Sequence, residues 1–154
     1  MLIGHIAVAI LEKRYLGTEL APTLAGGLFP DVLDKTLCQV LHLVPNGRTW
    51  GHTIFTLAVS SVMVRLLAGR ATARSWALGF IGHLLADLRG DLPLWYPFKG
   101  YDFEPSPGFK EIVQRFLADR SEVALEVVLL ILALLAWSSE STSGGNHGRR
   151  ASVA

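Results

Sequence analysis

Long apolar blocks alternate with short polar ones along this chain, and no stretch shows the period of two that a half-buried strand requires. Met1 to Leu11 is apolar apart from His5 and is followed by Lys13-Arg14-Tyr15-Leu16-Gly17, which predicts a short helix closed by a glycine. Glu19 to Phe29 is a second apolar segment. It contains Pro22 and the pair Gly26-Gly27, which allows close helix packing, and it ends at Pro30-Asp31-Val32-Leu33-Asp34-Lys35. Residues 36–44 read as helical and Pro45-Asn46-Gly47 as a turn. A long apolar helix is expected from Ile54 to Ala68, interrupted by Arg65. A basic connector, Gly69 to Arg74, leads to a fourth apolar segment from Trp76 to about Leu88. Residues 89–109, rich in Gly, Pro and aromatics, predict an ordered loop, and Lys110 to Arg120 an amphipathic helix. Ser121 is suited to cap a last apolar helix, Glu122 to Trp137.

Past Trp137 the composition turns to Ser, Gly, Asn and Arg, which predicts disorder. The expectation is therefore an all-α protein. Residues 1–137 form one multi-pass membrane bundle of about four to five apolar helices, and residues 138–154 form a disordered polar tail. The best candidate spans are 53–69, 75–95 and 122–137. Each carries one or more charges, so the buried helices of a compact soluble α-domain are the competing reading.

Composition sharpens this picture. The hydrophobic share of 51% is high and the charged share of 18% low for a soluble domain. The net charge is +1 and the basic residues are dispersed, so no nucleic-acid partner is expected. Cys38 is the single cysteine, which excludes an internal disulfide and any thiolate zinc knuckle; a metal here would need His and carboxylate ligands. The N-terminus lacks the form of a signal peptide, because Glu12, Lys13 and Arg14 follow the apolar run instead of preceding it.

The polar residues inside the apolar segments carry the chemistry. His83 and Asp87 are four apart and share a helix face among Phe80, Ile81, Leu84 and Leu85, where they are costly to bury unless paired or bound to a cation. If the apolar segments alternate in direction, His5, Asp31, His52, His83 and Asp87 fall at one end of the bundle. Lys13, Arg14, Arg65, Arg70 and Arg74 then fall at the other. Three imidazoles and two carboxylates suit zinc, manganese or iron, and five ligands leave room for a second ion. Arg48 is next to this cluster. It either grips a phosphate or carboxylate oxygen or forms a salt bridge to Asp31 or Asp34. His42 reads as a packing histidine, Trp95, Tyr96 and Trp137 as interfacial anchors, and Asp91 as a partner of His83 or a plain loop carboxylate. Glu126 is an expensive carboxylate inside the last apolar helix, suited to pairing with an arginine or joining the metal site.

An ordered set of short motifs spans residues 4 to 98: Gly4-His5, Gly27-Leu28-Phe29-Pro30-Asp31-Val32-Leu33-Asp34, Gly47-Arg48-Thr49-Trp50-Gly51-His52-Thr53, Gly79-Phe80-Ile81-Gly82-His83-Leu84-Leu85-Ala86-Asp87 and Pro93-Leu94-Trp95-Tyr96-Pro97. In this set the chain resembles the YdjM-like membrane-bound metal-dependent hydrolases of bacteria and archaea. The resemblance implies an integral protein of the prokaryotic cytoplasmic membrane, with distant kinship to zinc-dependent phospholipase C folds. It implies His5, Asp31, His52, His83 and Asp87 as ligands of a divalent metal, zinc first. Asp31 and Arg48 are then the candidate catalytic residues, metal-activated water attacks an ester or phosphoester of a lipid or lipid-linked substrate, and the partners are membrane lipids and that substrate. Two departures stand out. Gly47 occupies the place of a histidine common in the family, and Asp34 follows Asp31 one residue later than the family's second carboxylate. The competing functional reading is a non-catalytic binding or structural membrane protein, in which the cluster is a packing network or a structural metal site.

Overall fold

The computed structural model describes residues 3–88, 92–105 and 109–147, and all regular structure among them is helical. Helix α1 spans Ile3–Leu16 and stops at Gly17, whose left-handed φ of 64° carries no Cβ penalty. Helix α2 spans Leu20–Lys35. It continues through Pro30, where the sequence suggested an end. The added turn is held by the side chains it carries: Lys35 Nζ lies 2.6 Å from Asp31 Oδ2 four residues earlier. Only Thr36–Val40 of the expected helical stretch 36–44 is regular, as one π-turn, and His42 beyond it is exposed with φ 52° instead of packed.

Helix α3 occupies Ile54–Ala68, as the apolar pattern predicts, with Thr53 accepting from the Thr56 amide as its cap. The expected basic connector shrinks to one residue. Gly69, at φ 88°, ends α3, and α4 (Arg70–Ala86) begins at once, so Arg70 and Arg74 belong to its first turns. Helix α5 spans Phe109–Ala118, and α6 spans Arg120–His147. The cap of α6 is Asp119, not Ser121. Its Oδ1 accepts from the Ser121 and Glu122 amides at 2.9 and 3.1 Å and from the Ser121 hydroxyl. The helix also passes the expected boundary at Trp137, with the Ser138 and Ser139 hydroxyls donating to the Leu135 and Ala136 carbonyls. Residues 148–154 of the tail lie outside the described residues.

Helices α2 and α4 meet almost backbone to backbone. A Cβ on Gly26 would run into the Trp76 carbonyl, and one on Gly79 into the Thr23 carbonyl. These two glycines set the helix separation, as Gly26-Gly27 in the sequence anticipated. Helix α1 packs on α6 through Ala7, Ala9, Ala133 and Ala136, all buried, with the Lys13 ammonium 5.1 Å from the Trp137 ring centre.

Apart from Phe80 and Leu84, the apolar side chains of the buried core are small, while His5, Thr23, Asp34, Thr49, His52, His83 and Asp87 are buried polar groups. Large apolar side chains point outward: Val62, Met63, Leu66 and Leu67 on α3, and Val128, Ile131, Leu134 and Leu135 on α6. A polar interior inside an apolar exterior is the arrangement a hydrocarbon solvent selects. Among the described residues one helix segment, Arg120–Ser139, is long and apolar enough to cross a membrane; Ile54–Ala68 is apolar but shorter. The four to five spans expected from the sequence thus reduce to one candidate by length.

Candidate metal centre

Asp34 is the deepest charged group. It sits on the last turn of α2, completely buried, and its carboxylate is saturated with donors. The Thr49 amide donates to Oδ2 at 2.6 Å, the Thr49 hydroxyl to Oδ1 at 3.0 Å, and the Gly51 amide to Oδ1 at 2.7 Å. His52 Nδ1 lies 2.7 Å from Oδ2. Gly51 permits this approach, since a Cβ there would strike the Pro30 carbonyl and crowd the Asp34 carboxylate. With Nδ1 tied to a saturated carboxylate, His52 keeps Nε2 for another partner.

That Nε2 faces His83 Nε2 at 3.1 Å. His83, from α4, stacks on His5, from α1, with ring centres 3.9 Å apart. Asp87 follows α4 as its C-cap and faces three groups. Oδ1 is 3.6 Å from His5 Nε2, while Oδ2 is 2.9 Å from Arg48 Nη2 and 3.8 Å from His52 Nε2. Asp31 completes the ring, with Oδ1 3.8 Å from His52 Nε2 and Oδ2 on Lys35. The side chains of His5, His52, His83 and Asp87 are at most 4% exposed, that of Asp31 16%, and that of Arg48 43%.

Among the described residues two groups of side chains could hold a metal ion: His5, His83 and Asp87, and Asp31, His52 and His83, with ligand atoms within 4.8 Å of one another in each. The donor chemistry suits one. Both nitrogens of His5 are buried without a hydrogen-bond partner among the described residues, while His83 has the Gly27 backbone as a partner. A neutral imidazole orphaned in this way loses its solvation and recovers none of it unless a cation or water accepts the lone pair.

All five residues expected from helix alternation therefore converge at one end of the molecule. Arg48 meets them too, through Asp87 and not through Asp31 or Asp34. Asp31 is already taken by Lys35, and Asp34 by four closer donors. The sequence marks Asp34 only as a displaced second carboxylate and assigns no role to Thr49 and Gly51. Their signal was adjacency to His52, but only the fold shows that all three serve one carboxylate. The loop that carries Arg48 is pinned by Asn46. Asn46 Oδ1 accepts from the Arg48 amide at 2.9 Å, and Asn46 Nδ2 donates to the Glu104 carbonyl at 3.0 Å. Trp50 packs edge-on against Tyr96 at 4.8 Å, and Tyr96 against Phe103 at 5.3 Å, so the loop 92–105 braces the same segment. Trp95 is exposed beside them. Glu126 is buried on α6 and belongs to neither ligand group. Asp91 lies outside the described residues.

The sequence model of the YdjM inner membrane protein family matches residues 1–143. No curated protein and no solved structure matches the chain. The match covers most of the length, and the chain belongs to the YdjM inner membrane protein family.

Proposed function

We propose that this member of the YdjM inner membrane protein family is a metal-dependent hydrolase of an ester, most readily a phosphoester of a lipid or lipid-linked substrate. The observation that carries the reading is the convergence of three buried imidazoles and two carboxylates, with an arginine at the rim. In this reading α1 to α4 and α6 form a multi-pass bundle in the membrane, in keeping with the polar interior and apolar exterior. Kinship with zinc-dependent phospholipase C folds belongs to the same proposal.

His5, Asp31, His52, His83 and Asp87 would hold one or two divalent ions. Zinc suits the donors best, with manganese or iron as alternatives. His52 Nε2 and His83 Nε2, 3.1 Å apart, would both hold such an ion. Bound there, such an ion supplies Lewis acidity and brings the pKa of water near neutrality. The protein's own groups do the remaining work. Asp34 fixes the tautomer and aim of His52. Asp31, the least buried of the five, would hold the ion through Oδ1 at the more open side of the site, with Lys35 on its Oδ2. Arg48 presents a planar fork, one nitrogen of which holds Asp87, to the developing negative charge of a phosphoryl group.

A second reading has one observation behind it. Arg48 and Lys35 already neutralise Asp87 and Asp31, as they would in a non-catalytic packing network or a structural metal site. Elemental analysis of the detergent-purified protein beside His83→Ala separates the two in stages. Near-stoichiometric zinc, manganese or iron in the parent, lost in the variant, followed by turnover of a phosphodiester lipid, is the expected result. Metal without turnover across ester and phosphoester substrates supports the structural reading, and failure to take up metal even on reconstitution removes the hydrolase.

A further inference from the structure

A second charged feature lies at the opposite end of the molecule. Helices α3 and α4 diverge from Gly69, and the groove between them, about 730 Å³, is lined by Ser61, Val62, Arg65, Arg70 and Arg74, with Ala71 and Ala73. Among the described residues three arginines line it and no carboxylate does. His52 precedes α3 and Arg65 lies near its end, so the groove is about 20 Å from the metal centre, the length of the helix between them.

Three features make this groove a receptor for a phosphate. The first amides of α4 have no side-chain cap, because Gly69 precedes them, and a helix start of this kind favours an anion. Ser61, partly buried, lines the groove one helical turn before Arg65. All three arginines are exposed, and Arg74 donates through Nη2 to the Leu16 carbonyl at 3.0 Å. The flank of the groove then identifies the source of the phosphate. Val62, Met63, Leu66 and Leu67 are all more than half exposed and continue the apolar outer face of α3 to the groove's edge. A free anion has no use for such a wall, whereas the acyl chains of a phospholipid do. Arginine clusters beside apolar helix faces match anionic headgroups.

We infer that the groove lined by Arg65, Arg70 and Arg74 binds the headgroup phosphate of an anionic membrane phospholipid, with its acyl chains along the exposed face of α3. The site is independent of the hydrolase reading.

The test is native mass spectrometry of the full-length protein in a neutral detergent, titrated with phosphatidylglycerol or phosphatidylcholine. The parent, Arg70→Gln and Arg65→Gln/Arg70→Gln are compared; both side chains are exposed, and Arg74 is spared for its bond to α1. The parent is expected to retain one phosphatidylglycerol in clear preference to phosphatidylcholine. Each lost arginine is expected to weaken retention about fivefold, and the pair about thirtyfold. Equal retention of the two lipids by the parent, or an undiminished preference in the double variant, overturns the inference. Displacement of the lipid by an equal concentration of inorganic phosphate overturns it in favour of a free-anion site.

Discussion

His52 Nδ1 and Asp34 Oδ2 lie 2.7 Å apart, and neither side chain has any exposure to solvent. The pair is therefore insulated, and whatever His52 Nε2 binds feels the orientation that Asp34 imposes. Asp34→Asn keeps the size and removes the charge. The expected outcome is metal affinity about 10- to 100-fold weaker by chelator competition, with helicity by circular dichroism unchanged. Unchanged affinity would show that Asp34 serves only the loop.

Metal removal provides a separate readout. If the centre is loaded at about a hundred times its dissociation constant, chelation costs about 2.7 kcal/mol of stability. The parent should therefore melt at a lower temperature in chelator, and His83→Ala should melt alike with and without it. A variant that still responds to chelator would locate the metal elsewhere.

Arg48→Lys tests the planar fork apart from the charge. A lysine retains a positive group near Asp87 but loses the two-pronged geometry. Under the proposed activity, kcat/KM on a phosphodiester lipid is expected to fall about 10-fold or more while metal content stays at the parent level. A parallel loss of metal would instead assign Arg48 to holding Asp87.

Gly79→Ala tests the close approach of α2 and α4. The new methyl meets the Thr23 carbonyl, which is backbone and cannot turn aside. Thermal melting in detergent should show a loss of about 1–3 kcal/mol or more. Gly100→Ala, with open space at its Cβ, should stay within about 0.5 kcal/mol of the parent.

Ile131 is half exposed on α6, within the segment long enough to span a bilayer. Ile131→Arg places a charge near its middle, at a cost of about 2.5–3.5 kcal/mol for insertion. Insertion of α6, read from the accessibility of its two ends to a membrane-impermeant label, should fall in the arginine variant, whereas Ile131→Val should not change it. Undiminished insertion of α6 in the arginine variant would mean that this face packs against protein.

The apolar pattern of the sequence was enough to locate the helices because burial or lipid exposure demands long apolar runs whatever their neighbours. Helix α3 appears at the bounds the pattern suggests, and the candidate ligands could be named from their cost inside such runs. Helix ends were less legible. Pro30 reads as a stop, yet a lysine–aspartate pair and a saturated carboxylate hold the turn beyond it. Gly69 alone makes a turn that the sequence spread over several residues. Such outcomes depend on bonds between residues and on one backbone angle, neither of which a hydropathy pattern contains.

Within the site, the sequence determined which donors exist and, through helix alternation, that they share one end. Only the tertiary structure decided how they divide. Asp34 faces Thr49, Gly51 and His52, Arg48 goes to Asp87 rather than to Asp31 or Asp34, and His5 stacks on His83. The physical reason is range. Hydropathy acts on every residue independently and survives in a linear pattern. A hydrogen bond or ion pair is decided over less than 1 Å, and that precision exists only once α2 and α4 close against each other at Gly26 and Gly79.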